Sequence, residues 1–319
     1  MTCMLDVCLC SHNPEPGRLK HVLAALANQK PTDVQWRLLV VDNNSQPPVT
    51  EDQLDIVRQS GIDVSLVKEP AAGVINARKK AIMTATAQWL LFVDDDNVLA
   101  DDYINNGLEY ARNNNIGCFG GNIYLDDNIK VDKWLVPLLP LLAIRDYGNN
   151  EIVSTLENWG PWMPPSAGLF IRKEIASRFI SITNKNAAYE SLGRRGRQLK
   201  SGLDYMMVRE GPRMGYPCAY VPKLRLCHDL DQARLTLGYM LRINWAYGRS
   251  HVIIRNIDRN TPGHNSVPGV FRLKVLVKIP VRMFRELFVS PRYLLCRASY
   301  RLGYLWQRTV SFIALKLGI

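Results

Sequence analysis

The sequence predicts an α/β protein whose mainly parallel sheet is covered by helices on both faces. Three observations carry this. From Leu5 to Asp96, short runs of continuous apolar residues alternate with segments of helical periodicity. Three of those runs lead into a polar cluster: Ser11-His12-Asn13, Asp42-Asn43-Asn44-Ser45 and Asp94-Asp95-Asp96. The composition is that of a globular chain, 47% hydrophobic and 22% charged over 319 residues, which excludes disordered, collagenous and low-complexity classes.

The elements follow in order. Leu5 to Cys10, rich in Val and Leu, reads as a buried strand, and Gly17 to Asn28 as a helix. Trp36 to Val41 is a second buried strand that ends at Asp42. A helix around Gln53 to Ser60 and a short strand, Val64 to Val67, come next. Val74 to Ala87 is helical, and Trp89 to Val93 is a strand running into the three aspartates. Ligands of such sheets bind beyond the carboxyl ends of the strands. The three polar clusters therefore converge on one expected site.

The aspartate triplet has a chemical use. Adjacent carboxylates repel one another unless a cation or hydrogen bonds offset the cost. Oxygen ligands select Mg²⁺ or Mn²⁺, which bridge protein carboxylates to a diphosphate. An acidic loop in solvent, or a cluster of helix caps, would use the same residues, so both readings stand at this point. The seven cysteines lack zinc-ligand spacing and read as buried reduced thiols. Met1 to Cys10 has neither a basic start nor a cleavage-type run of small residues, so no signal peptide is expected. No uninterrupted apolar stretch reaches about 18 residues, so no simple membrane span is expected.

Charge is concentrated at one end. The net charge is +11, and Val270 to Ile319 holds ten basic residues against Glu286, a local +9. The preceding residues are near balance, which excludes a generally basic nucleic-acid binder. The tail is amphipathic: Lys274, Lys278, Arg282 and Arg285 lie opposite Leu273, Leu276, Val277, Phe284, Leu287 and Phe288. Arg297, Arg301 and Arg308 repeat the pattern with Leu294, Leu295, Tyr304, Leu305, Phe312 and Ile313, while Pro280 and Pro291 divide the tail into short helices. Such helices suit an anionic membrane surface. A helical pair packed on the main domain with a solvated basic face is the other reading, and a protein or nucleic-acid partner a third.

Glu69 to Arg78, followed by Phe92-Val93-Asp94-Asp95-Asp96, resembles the nucleotide-sugar half of family 2 glycosyltransferases, which have the GT-A fold. Ser11-His12-Asn13-Pro14 and Val41 to Ser45 fit the same pattern. Arg194 to Asp204 is similar to the segment that normally ends in Gly-Glu-Asp, and His228, Arg234-Leu235-Thr236 and Gly248-Arg249-Ser250 follow in order. The resemblance covers residues 4–250. It implies a Rossmann-like GT-A sheet, to which the charge and periodicity of the tail add a C-terminal amphipathic helical extension. Residues 1–122 would form the nucleotide-sugar half, 123–250 the acceptor half and 251–319 the basic tail.

The resemblance also implies roles. Ser11 and Asn13 would contact the nucleoside, Asp42 the base and Arg78 the diphosphate. Asp94 and Asp95 would face the nucleotide-sugar, with Asn122 bordering the sugar pocket. Asp96 and His228 would hold Mg²⁺ or Mn²⁺. Asp204 would be the general base of an inverting transfer, although capping of a helix over Tyr205 to Met214 suits the same carboxylate. The pattern departs from the family at Leu203, where Glu is usual.

Trp159 and Trp162, in a Pro-rich segment, could line the sugar or acceptor groove or pack an irregular subdomain, and Ser166 to Arg172 resembles the strand flooring the acceptor site. Arg194, Arg195 and Arg197 form a basic loop that suits an acceptor phosphate or simply solvent. The implied function is transfer from a nucleoside-diphosphate sugar, a UDP-sugar being expected, to a lipid-linked glycan in surface-polysaccharide synthesis. The implied location is the cytoplasmic face of the membrane, with peripheral attachment. A sugar nucleotidyltransferase and a non-catalytic carbohydrate- or membrane-binding module are the alternatives; the Gly- and Lys-containing phosphate loop expected of the former is not evident in Ser11 to Arg18.

Overall fold

A computed structural model of the chain describes residues 5–194, 196, 198–259 and 290–317. The chain divides into two compact units, one of residues 1–128, 143–186 and 203–230, the other of residues 129–142, 187–202 and 231–319.

The first unit is the expected α/β sheet. Strand β1 (Leu5–Ser11) pairs in parallel with β2 (Trp36–Asp42) and with β4 (Trp89–Asp94), and β2 pairs in parallel with β3 (Asp63–Lys68). Helices α1 (Pro16–Ala27), α2 (Asp55–Arg58) and α3 (Val74–Thr84) separate them. Pro16 opens α1, where its missing N–H costs nothing. The Glu15 carboxylate accepts hydrogen bonds from the Gly17 and Arg18 amides. Leu5, Val7 and Leu9 of β1 and Leu90, Leu91 and Val93 of β4 are buried, as interior strands covered on both faces require.

The sheet continues through β5 (Asn97–Leu99), β6 (Cys118–Tyr124), β7 (Ile152–Ser154), β8 (Leu169–Arg172) and β9 (Cys218–His228). Its order is β3-β2-β1-β4-β8-β6-β9-β5, with β7 paired to β9. Strand β8 runs antiparallel to both β4 and β6, and β9 runs parallel to β6. Strands β1, β2, β4, β6 and β9 therefore share one direction. Their carboxyl ends, at Ser11, Asp42, Asp94, Tyr124 and His228, lie along one edge of the sheet. The amino end of β8 returns to that same edge. Phe170 of β8 stacks on Phe119 of β6 at 4.8 Å between ring centroids, which seats this inserted strand in the core. Helices α4 (Tyr103–Asn113) and α5 (Lys173–Asn184) complete the layers.

One core feature escapes hydrophobic periodicity. Asp6 is fully buried in β1, where its carboxylate accepts from Arg37 Nε at 2.5 Å and from the Thr86 and Ala87 amides at 2.6 and 2.9 Å. A buried carboxylate needs such partners. Here they fasten the α3–β4 connection to the first strand.

Some boundaries differ from expectation. Helix α3 ends at Thr84, three residues before the expected Ala87. The single helix expected over Tyr205 to Met214 is two pieces, α6 (Leu203–Val208) and α7 (Glu210–Arg213), with Gly211 and Pro212 inside the second. The second unit contains α8 (Leu237–Arg259) and α9 (Pro291–Leu317) packed along one another. Pro291 opens a 27-residue helix, longer than the short helices expected there, and proline is tolerated in a first turn; the segment before Ser290, with Pro280, lies outside the described residues. The expected amphipathic stretch with Lys274, Lys278, Arg282 and Arg285 lies outside the described residues.

Candidate active site

The strand-end edge gathers the polar clusters. After β1 and β2, two loops are stitched together. The Asn13 amide donates to Ser45 Oγ at 3.0 Å, and the Gln46 amide donates to Asn13 Oδ1 at 2.7 Å. Asn13 and Asn44 adopt positive φ, 51° and 57°, a conformation Asn tolerates better than most side chains. Asp42 is buried, and its Oδ1 accepts from the Ser45 amide at 3.1 Å. Asn43, which the motif reading left without a role, clamps the loop ahead of α3. Its Nδ2 donates to the Glu69 and Ala71 carbonyls at 3.1 and 2.7 Å, and its Oδ1 accepts from the Gly73 amide at 2.8 Å. That clamp fixes the start of the helix that carries Arg78.

The aspartate triplet is divided by the geometry, each carboxylate taking a different partner. Asp94 Oδ2 accepts from Ser166 Oγ at 3.4 Å. Asp95 Oδ2 accepts from Ser11 Oγ at 2.5 Å, which ties the end of β1 to the end of β4. Asp96 Oδ1 lies 3.2 Å from His228 Nε2 and accepts from Asn97 Nδ2 at 3.1 Å. The antiparallel pairing of Asn97 with His228 explains the meeting, since β5 delivers the residue after Asp96 directly opposite the end of β9. Burial raises the pKa of Asp94, as do the charges of Asp96 and Asp204, while Arg78 and His228 oppose the rise.

Arg78 and Asp204 meet although 126 residues apart in sequence. The Arg78 Nη1 donates to Asp204 Oδ1, and the Ser166 amide donates to Asp204 Oδ2 at 3.3 Å. Arg78 is 8% exposed and Asp204 25%, so the carboxylate is the more open member of the pair. Burial pushes the Asp204 carboxyl up, but the Arg78 charge and the hydrogen bonds outweigh it and hold the group below the usual carboxylate range. Asp204 sits in the first turn of α6. Ser166 touches both Asp94 and Asp204; the sequence places it at the head of the segment flooring the groove but gives it no role of its own. The antiparallel return of β8 is what brings it to this edge. Leu203, where the resemblance expects Glu, is buried at 3% exposure, so packing occupies that position.

The aromatic segment lies beside Asp204. Tyr205 Oη donates to the Glu157 carbonyl at 3.1 Å, and the Tyr205 ring meets Trp159 edge-on at 5.9 Å. Arg145 Nη1 and Nη2 donate to the Met163 and Pro161 carbonyls at 2.8 and 2.6 Å, and Trp162 Nε1 donates to the Leu156 carbonyl at 3.1 Å. Trp159 is nevertheless 56% exposed. Asn122 stands near the end of β6, with a buried Oδ1 that has no hydrogen-bond partner among the described residues. Arg194 is exposed and belongs to the second unit; Arg195 and Arg197 lie outside the described residues.

Among the described residues, no three His, Cys, Asp or Glu side chains form a ready-made cation cage. The Asp96–His228 pair, one carboxylate and one imidazole, nonetheless suits a divalent ion such as Mn²⁺ that takes its remaining ligands from substrate phosphates and water.

Residues 6–178, more than half of the chain, match glycosyl transferase family 2, and the chain belongs to that family. A curated relative, the succinoglycan biosynthesis protein ExoM of Rhizobium meliloti (strain 1021), is 24% identical over 135 residues. That match covers 42% of this chain and 43% of ExoM, less than half of the relative's length. Among solved structures, S. aureus TarS is 16% identical with a TM-score of 0.49, over 94% of this chain and 54% of that one. The mannosyltransferase PcManGT from Pyrobaculum calidifontis, in complex with GDP-Man and Mn²⁺, is 14% identical with a TM-score of 0.49, over 98% of this chain and 80% of that one.

Proposed function

We propose that the chain is a metal-dependent, inverting glycosyltransferase that moves a sugar from a nucleoside-diphosphate sugar to a glycan acceptor in polysaccharide synthesis. A UDP-sugar is the proposed donor and a lipid-linked glycan at the cytoplasmic membrane face the proposed acceptor. Family membership and the succinoglycan-synthesis relative support the reaction class. The single observation that carries the site assignment is Asp204, a partly exposed carboxylate held between Arg78 and the Ser166 amide.

The proposed mechanism uses that arrangement. An acceptor hydroxyl attacks the anomeric carbon as the bond from that carbon to the diphosphate breaks. The hydroxyl is too weak an acid to ionise alone, and its proton passes to Asp204 as the new bond forms. Arg78 serves the diphosphate with a guanidinium that matches phosphate oxygens. Asp42, Ser11 and Asn13 frame the nucleoside, and the vacant acceptor capacity of Asn122 Oδ1 suits a sugar hydroxyl. A divalent cation held by Asp96 and His228 would balance the charge of the departing nucleotide. Trp159 offers an exposed aromatic face to an acceptor sugar.

A thermal-shift screen of nucleotide sugars with Mn²⁺ or Mg²⁺, paired with a nucleotide-release assay, tests this reading. Saturating donor at about 100 times its Kd stabilises the folded chain by about 2.7 kcal/mol, which raises Tm by several degrees. Failure of every nucleotide sugar to shift Tm or release nucleotide with either metal would overturn it.

A further inference from the structure

Helix α9 presents three distinct faces. One face is fixed against α8. Ser299 Oγ donates to the Leu241 carbonyl at 2.8 Å, Arg249 Nε to Gln307 Oε1 at 3.0 Å, and Asn256 Nδ2 to Ser311 Oγ at 3.2 Å. The backbones approach so closely that a Cβ on Gly303 would lie 2.2 Å from the Trp245 carbonyl oxygen, and one on Gly248 would lie 2.1 Å from that of Tyr300. These contacts set the rotation of α9 about its axis.

The rotation leaves an apolar stripe outward. Leu295, Leu302, Trp306 and Ile313 follow one another at intervals of seven, four and seven residues, which places them in one line along a helix. They are 51%, 58%, 56% and 49% exposed, and Leu305 and Phe312 beside them are 53% and 57% exposed. A third stripe, Arg297, Arg301 and Arg308, borders the apolar one; Arg308 is exposed, and Arg297 and Arg301 are half-buried. No acidic residue falls anywhere in α9. Soluble proteins seldom expose so many contiguous large apolar side chains without a partner. Among the described residues, no helix is long and apolar enough to cross a membrane.

We propose that α9 lies flat on an anionic bilayer, with Leu302, Trp306 and Ile313 at the acyl boundary and the exposed Arg308, beside the open edge of half-buried Arg301, on the headgroups. The charge argues for lipid over a second copy of the chain. Apposed α9 helices would bring two acid-free basic stripes together, whereas anionic headgroups neutralise them. This deepens the reading of a lipid-carried acceptor, since it would place the chain where such an acceptor resides.

Flotation of the full chain with vesicles tests the proposal and needs neither donor nor acceptor. Its failure is therefore separable from failure of the proposed transfer reaction. Vesicles of phosphatidylcholine with added phosphatidylglycerol bind the chain, and phosphatidylcholine alone binds it weakly. The exposed-site variant Leu302→Glu/Ile313→Glu floats no better than background. Arg301→Gln/Arg308→Gln partitions on the order of 30-fold less and with weaker salt dependence. Circular dichroism and an unchanged Tm without ligand establish that both variants are folded. Undiminished binding by the Glu variant overturns the proposal, as does absence of binding by the unmodified chain. A lipid-free dimer that the Glu variant dissociates, without vesicle binding, overturns it in favour of a partner copy.

Discussion

Replacing Arg78 by Gln removes the cation that Asp204 and Asp94 share, and its cost depends on pH. The pair is largely withdrawn from solvent, with Arg78 8% and Asp204 25% exposed. Two unit charges about 4 Å apart attract by about 4 kcal/mol at an effective dielectric near 20. Removing one partner of such a pair costs about 3–5 kcal/mol. The lower end applies because Asp204 keeps the Ser166 amide and some solvent. The variant therefore loses about 3 kcal/mol at pH 7. In the native chain, Asp204 is held below its ordinary range, so its stabilising contribution is present above the unfolded pKa of about 3.9 and is lost as pH falls through the folded value. In the variant, burial and mutual repulsion raise both carboxyls, which protonate on mild acidification and relieve the strain. Urea denaturation at pH 7, 5.5 and 4 should show the gap narrowing to roughly a third of its neutral value. A gap that stays constant across that range would refute the shared-cation account.

Two further outcomes follow from the same edge of the sheet. Asp96→Asn or His228→Ala should raise the Mn²⁺ concentration needed for half-maximal donor binding by at least about tenfold, read by titrating metal at fixed nucleotide sugar; an unchanged metal requirement would remove the pair from the site. Trp159→Ala should raise acceptor KM roughly tenfold while leaving donor KM unchanged, with Trp159→Phe recovering most of the loss; a change in donor KM alone would place the indole elsewhere.

Local order was legible in the sequence because it is written in neighbouring residues. Strands β1, β2 and β4 were located to within a residue because their apolar runs stop abruptly at polar clusters. Their parallel direction implied that Ser11, Asp42 and the aspartates share one edge. Long-range partners were not legible. Nothing near Arg78 in sequence indicates Asp204, and Ser166 reaches the site only because β8 inserts antiparallel between β4 and β6. Asp6 was missed for a related reason: a lone acid in an apolar strand gives no hint that two amides from the α3–β4 turn and Arg37 will satisfy it. The tail's charge and amphipathicity were evident, but the contacts with α8 were needed to show which apolar residues face outward.

The proposed role of Asp204 is tested most directly by Asp204→Asn, with donor affinity and sugar transfer measured on the same preparation. Asn keeps the size of the side chain and an oxygen for the Ser166 amide but cannot take a proton. Donor affinity should stay within about twofold of normal, while transfer falls by about 10²–10⁴-fold, the range typical of a lost general base. Near-normal transfer at normal donor affinity would contradict the account.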